Sequence, residues 1–305
     1  MKKSKIYLLC FILIAQVLLP SGSGFCAKRA PAGRLKQDTS AGLKTGWNMP
    51  LCNGRGKTIL DAARFLFPGG TLNELNEYVT AKQKTLRIPG ATKERTVLPK
   101  GTALSIPSCI FVKSGTKNYT VVLWEGVISR SGTDKPYGNL IAALGIFPEG
   151  SAEPTDVAEV KTDQLTYFGA DSLLELGEEE AFTIVNHHAN AGQPYYSSDL
   201  YYIRAGRLSL IGSVSTLGCM SGCADSFRED VEWITDSLSN GDRPDITVVV
   251  DLVRAPEEYM NDCDENVEES VESFREVYRW DSGKFKYVKT GGNMERLDKW
   301  NIDHM

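Results

Sequence analysis

This sequence predicts an α+β fold, mainly β: an antiparallel meander or sandwich with two or three short helices. Three observations lead there. Between Thr102 and Trp124, the apolar runs "ALSIPSCIFV" and "YTVVLW" flank the turn "KSGTKN", which is a hairpin pattern. Further on, "YYIRAGRLSLI" (201–211) and "VYRWDSGKFKYV" (277–288) share one plan: an aromatic strand, a turn around glycine, a basic residue and an alternating strand. Helical periodicity is confined to short stretches, and strands do not alternate with helices as βαβ units require.

In chain order, residues 1–26 read as a signal peptide. Lys2, Lys3 and Lys5 precede an apolar run from Ile6 to Pro20, and small residues follow at Ser21–Gly24. The run is shorter than the about 20 apolar residues of a spanning helix. Cys26 would be the acylated residue of a lipoprotein, but bulky Phe25 stands where a lipobox needs a small side chain. The expectation is therefore cleavage, release into the periplasm or the exterior, and no transmembrane segment in the mature chain. Residues 27–50, basic and rich in Gly, Ala, Lys and Thr, read as a flexible lead-in.

Residues 51–128 form a helix-plus-hairpin region. "LCNGRGKT" ends like a phosphate-binding loop, but Leu51 occupies the position of the first glycine, and the segment before it is no buried strand. Thr58 instead opens a helix to about Phe67, stopped by Pro68, Gly69 and Gly70. "TLNELNEYV" reads as a second short helix, and the hairpin follows. Residues 129–305 form a β-rich domain with one amphipathic helix. "GNLIAALGIF", "DVAEVKT" and "DITVVVDL" read as strands. Phe227, Val231, Ile234 and Leu238 recur at i, i+4, i+7 and i+11, one helical face, with Ser226 to cap it, Glu229 and Asp230 at its positive end and Gly241 to stop it.

Without residues 1–26 the chain carries 31 Lys and Arg against 39 Asp and Glu. That balance argues against nucleic acid or anionic lipid as partner, since phosphate binding is driven by basic residues. Cys52, Cys109, Cys219, Cys223 and Cys263 remain, and outside the cytosol disulfides are the default. The expected pairs are Cys52 with Cys109 and Cys219 with Cys223. The C-x3-C spacing of the second pair fits neither a redox motif nor a zinc module.

Several constellations bear on chemistry. Ser114-Gly-Thr-Lys117, Ser198-Asp199 and Lys289-Thr290-Gly291 resemble, in order, the three elements of serine β-lactamases and penicillin-binding proteins. The resemblance implies a serine hydrolase working through a Ser114 acyl-enzyme, which is the alternative function. The residues depart from it: Ser114 and Lys117 lie in a hairpin turn instead of opening a helix, and Leu200 stands where the family has Asn. His187 and His188 are adjacent on a strand-like segment, so their side chains point to opposite faces and cannot chelate one ion. The acidic stretches "NGDRPD" (240–245) and "NDCDENVEE" (261–269) read as solvated loops, the latter with Val267 where a calcium loop needs Gly. No cofactor or metal is expected.

The segment from Asn186 to Asp199 reads as a long turn between two strands, and loops on rigid sheets are where recognition concentrates. His188, Gln193, Tyr195 and Tyr196 are its candidate ligand-facing residues, because tyrosine combines an apolar face with a polar tip at small entropic cost. Together with "YRWDSGKFKYV", this composition resembles exported bacterial proteins of unassigned function with hairpin-rich C-terminal halves. The resemblance implies β-structure and export, and carries no catalytic residue. The leading expectation is an exported binding or interaction module rather than an enzyme, its ligand a protein, peptide or glycan. Mass spectrometry of the exported protein should find an unlipidated N-terminus between Phe25 and Lys28; a diacylglyceryl group on Cys26 would overturn this.

Overall fold

Thr58 sets the first element. Its hydroxyl accepts from the Asp61 N–H at 3.1 Å while the Asp61 carboxylate accepts from the Thr58 N–H at 2.9 Å, a reciprocal cap on helix α1 (Ile59–Leu66). The helix buries Ile59, Leu60, Ala62, Ala63 and Leu66, so it is held by packing as well as by its cap. Leu51, where a phosphate loop would need glycine, is itself buried. The computed structural model describes residues 46–51, 57–90, 94–128, 139–160, 165–190, 193–220, 226–236, 243–255 and 268–304. The expected signal peptide and nearly all of the expected lead-in lie outside them.

The second short helix expected at "TLNELNEYV" is instead a small hairpin of β1 (Thr71–Leu72) and β2 (Tyr78–Val79). Its turn explains why. The Asn73 side chain accepts from the N–H groups of Leu75 and Glu77 at 3.0 and 2.9 Å, and Asn76 adopts φ of 60°. Asparagine thus satisfies the backbone locally and removes the helical alternative.

Strands β3 (Lys84–Arg87), β4 (Arg95–Leu98), β5 (Ala103–Leu104), β6 (Ser108–Ser114), β7 (Lys117–Ile128), β8 (Asn139–Pro148) and β9 (Asp156–Val160) build the first sheet, in the spatial order β6-β7-β8-β9-β3-β4. The expected hairpin is β6–β7, with Gly115 at φ of 60° in its turn. Strands on either side of residue 128, β7 and β8, pair from Tyr119↔Pro148 to Ile128↔Asn139. A second antiparallel meander follows: β10 (Leu165–Leu176), β11 (Glu179–Asn190), β12 (Gln193–Arg204) and β13 (Arg207–Thr216). A single register position, Glu179↔Ser114, joins it to the first. The last sheet orders β14 (Cys219–Met220), β15 (Phe227–Asp236), β16 (Asp245–Arg254), β17 (Ser270–Asp281) and β18 (Lys286–Gly292), and helix α2 (Met294–Asp303) closes the described chain.

Three hydrophobic cores stack these pieces. In the first, α1, Trp47 and Tyr78 cover one face of the first sheet through Val122, Trp124, Ile141, Ala143 and Phe147. In the second, the opposite face (Val121, Leu123, Ala142, Leu144, Ile146) meets Phe168, Phe182, Ile184, Tyr201 and Ile203 of the β10–β13 meander. In the third, the other face of that meander (Ala181, Leu200, Tyr202, Val214) meets Phe227, Val248, Val250, Phe274 and Tyr278 of the last sheet, with Leu297 of α2. The mainly-β, antiparallel expectation holds. Sheets covered on both faces also explain why "VVLW" and "LIAALGIF" read as continuous apolar runs.

The amphipathic helix expected at Phe227–Leu238 is strand β15, paired with β16 from Phe227↔Arg254 to Asp236↔Asp245. Phe227 and Val231 pack in the third core while Ile234 is 40% exposed, so they do not form one face. Glu229, read as a favourable helix-start charge, is buried between the sheets. Leu238 and Gly241 lie outside the described residues. Tertiary pairing with an already β-branched neighbour overrode a helical spacing carried by four residues.

The expected disulfide framework is corrected. Among the described residues no two Sγ atoms stand at bonding distance, so neither Cys52–Cys109 nor Cys219–Cys223 is seen there. Cys109, on β6, and Cys219, on β14, belong to different sheets, which separates them; neither is a free thiol. Cys52, Cys223 and Cys263 lie outside the described residues.

Glu229 generates a pH prediction. Its Oε2 accepts from the Leu217 N–H at 2.6 Å, and its Oε1 is buried with no hydrogen-bond partner among the described residues. Burial pushes the carboxyl up to about 7 from 4.5, against the pull of the Leu217 and Gly218 amides. Between these values the folded chain keeps a proton that the unfolded chain releases, so stability falls as pH rises from 4.5 through 7. The effect of this group is about 3 kcal/mol. Urea unfolding at pH 5 and pH 8 measures it, and Glu229→Gln should flatten the difference; an unchanged slope in the variant would assign the effect elsewhere.

Candidate functional site

Ion pairing fixes the seam where the first sheet meets the β12–β13 hairpin. Arg87, at the end of β3, pairs with Asp156 of β9 and donates to the Leu208 carbonyl at 2.7 Å. Asp156 accepts in turn from the Leu208 N–H at 2.8 Å, and the Thr155 hydroxyl donates to Gly206 O at 2.7 Å. Both partners of the ion pair are largely buried, at 16% and 8% side-chain exposure. Such a charge-assisted, bidentate-type contact positions as much as it stabilises.

Beside this seam opens a cavity of about 500 Å³ lined by Ile88, Pro89, Leu140, Glu159, Asp199, Tyr201, Leu210 and Ser213. Four lining side chains are apolar, and apart from Glu159 the polar ones converge on the Asp199 carboxylate. The Ser213 hydroxyl donates to Asp199 Oδ1 at 2.5 Å, and the Tyr201 hydroxyl donates to Oδ2 at 3.2 Å. Asp199 and Ser213 are direct cross-strand partners. A bulge immediately follows, where Leu200 faces Gly212 but Tyr201 faces Leu210, so Ile211 is the extra residue. Bulges re-aim side chains next to sites, and on either side of this one Leu210 and Ser213 both line the cavity. From the other side, the Tyr278 hydroxyl lies so close to Gly212 that any Cβ there would collide with it.

Electrostatics separates the acids. Burial raises the Glu159 carboxyl above its ordinary range, opposed by a hydrogen bond with Thr96. Burial, then the Asp199 charge and hydrogen bond, push the Tyr201 phenol far up, so it stays a neutral donor. Among the described residues the lining thus holds two acids and no basic side chain. This combination of apolar walls and few convergent polar groups is that of a small-ligand pocket.

The candidate residues taken from sequence lie elsewhere. The segment 186–199 is not a long turn: β11 and β12 pair up to Asn190↔Gln193. Alternation then divides the candidates. His188 faces Tyr195 across the ladder, ring centroids 6.0 Å apart, and Tyr195 packs against the third core. His187 stacks on Tyr196 at 4.6 Å, and Tyr196 lies against Gly218, whose φ of 74° and lack of Cβ admit the ring. Tyr195 and Tyr196 therefore do not share one surface. Gln193 sits at the hairpin's end opposite Asn190.

The three hydrolase-like elements are engaged separately. Ser114 Oγ donates to Ile203 O at 2.8 Å, Ser198 Oγ accepts from Trp233 Nε1 at 3.0 Å, and Lys289 pairs with Glu276 at 2.5 Å. No catalytic triad is assembled among the described residues. Nor do three His, Cys, Asp or Glu side chains gather there as metal ligands. No helix among the described residues is long and apolar enough to cross a membrane. Of the cavity residues, Asp199 had a readable signal, an acid inside the strand-like "SSDLYY"; Glu159 and Ser213 are ordinary until register brings them in. No family model, curated protein or solved structure matches this chain.

Tyr196 now yields a stability prediction. Replacing it with serine removes the His187 stack and the packing on Gly218, and should cost about 1–3 kcal/mol. Denaturant titration reads this out; an unchanged midpoint would return Tyr196 to a purely ligand-facing role.

Proposed function

We propose that this chain is an exported binding module whose ligand, a small molecule with an apolar body and a protonated amine, sits in the cavity at Asp199. The cavity lining, which among the described residues bears two acids and no basic side chain, carries this reading. Apolar walls from Ile88, Pro89, Leu140 and Leu210 favour a hydrocarbon body. Asp199, held in place by Ser213 and Tyr201, presents an oriented carboxylate to the cavity. A carboxylate-bearing ligand would meet like charge in a partly desolvated site, which costs several kcal/mol and excludes it. Export rests on the N-terminal pattern Lys2–Cys26.

A thermal-shift and calorimetric panel of small amines, carboxylates and neutral sugars at pH 7 tests the reading. Amines with apolar bodies should raise the melting temperature and weaken with added salt. Asp199→Asn should lower their affinity at least about tenfold, as loss of one charge-assisted contact implies. Carboxylates or sugars binding as well as amines, or amine binding indifferent to Asp199→Asn, would refute it.

A further inference from the structure

At the opposite face of the β12 strand, away from the Asp199 side, stands a second arrangement suited to a cation. Tyr202 of β12, Trp280 of β17 and Tyr287 of β18 meet edge to face, with centroids 6.3 Å (Tyr202–Trp280), 6.1 Å (Tyr202–Tyr287) and 5.3 Å (Trp280–Tyr287) apart. The Arg243 guanidinium lies inside this group, its Cζ 4.0 Å from the Trp280 ring centre and 5.9 Å from that of Tyr202. Glu179 completes the set with an ion pair to Arg243 at 2.6 Å. Three aromatic rings and one carboxylate around a positive group are the recognition elements for weakly hydrated organic cations.

The rings and the occupant differ in how they are held. Tyr202 and Tyr287 are 1% and 5% exposed and stand on paired strands of two different sheets. Their mutual contacts, and the Tyr287 hydroxyl donating to Pro244 O at 3.2 Å, need no guanidinium. Arg243 precedes β16, outside its ladder, and its guanidinium reaches the rings and hydrogen-bonds the Tyr287 hydroxyl. Its side chain and that of Glu179 keep 17% and 20% exposure, so the group opens to solvent. We propose that Tyr202, Trp280, Tyr287 and Glu179 form a binding box for an organic cation, a guanidinium or methylated ammonium head group, with Arg243 as the chain's own occupant. Arg243 is tethered beside the box at a high effective concentration, so a free cation competes poorly until Arg243 leaves. The box is independent of the Asp199 cavity and does not rest on the function assigned there.

Arg243→Ala empties the box. Calorimetry with methylguanidinium and with tetramethylammonium, at ionic strength matched with sodium chloride, should show saturable binding to this variant. Binding to the unaltered protein should be at least about tenfold weaker. Adding Trp280→Leu to Arg243→Ala should abolish it. The tighter of the two probes identifies the head group. Should Arg243→Ala fail to fold, methylguanidinium or tetramethylammonium should restore its circular dichroism saturably where sodium chloride does not. A folded variant with no saturable binding, binding that survives Trp280→Leu, or an unfolded variant that neither cation rescues would overturn the proposal.

Discussion

The β10–β13 meander packs a hydrophobic core against each of its two faces. Successive residues of its strands must fit different cores: Tyr201 and Ile203 point into the second, Leu200 and Tyr202 into the third. A slip of one residue in β12 would exchange the two sets and leave both cores misfilled, so register is fixed from two sides at once. The helix α1, the first sheet and the last sheet are each anchored, directly or through one layer, to this meander. Its burial is the condition under which the others pack.

That burial sets a rule for the polar groups inside. A ladder of side chains crosses the meander: Thr166 Oγ1 donates to Asn186 Oδ1 at 2.8 Å, and Asn186 Nδ2 donates to Ser197 Oγ at 3.4 Å. The Thr166 N–H reaches the Glu125 carboxylate at 2.9 Å, tying the meander to the first sheet. Toward the last sheet, Tyr278 donates to Glu276, which also pairs with Lys289. These contacts avoid the cost of desolvated donors. Asp199 belongs to the same economy, but opens into a cavity, which is why its hydrogen-bonded carboxylate reads as a site and the Thr166–Asn186 pair as structure.

The repeated hairpin plan has a spatial meaning. The turns of β12–β13 and β17–β18 meet: Arg204 donates to Phe285 O at 2.5 Å and its guanidinium lies over the Phe285 ring at 5.1 Å. The aromatic residues preceding each turn, Tyr202 and Trp280, then contact edge to face. Similar hairpins from facing sheets thus place similar residues together, and the aromatic box follows from their packing.

Short-range chemistry made part of this legible in the amino-acid sequence. The Thr58–Asp61 cap, the β6–β7 turn at Gly115 and the two echoing hairpins depend on residues close along the chain, and each was readable there. Even the opposite facing of His187 and His188 followed from strand alternation. Tertiary structure decided what depends on partners distant in sequence. Strand β15 carries a helical spacing at Phe227, Val231 and Ile234, yet the β-branched edge of β16 pairs with it along its length. The 186–199 segment carries turn-like Gly and Pro, yet cross-strand partners extend both strands toward the tip. The Asp199 cavity joins residues from Ile88 to Ser213 through sheet stacking, and the box brings Glu179, Tyr202, Arg243, Trp280 and Tyr287 together the same way. Local propensity determines which segments extend; only the burial of both meander faces determines what they extend against.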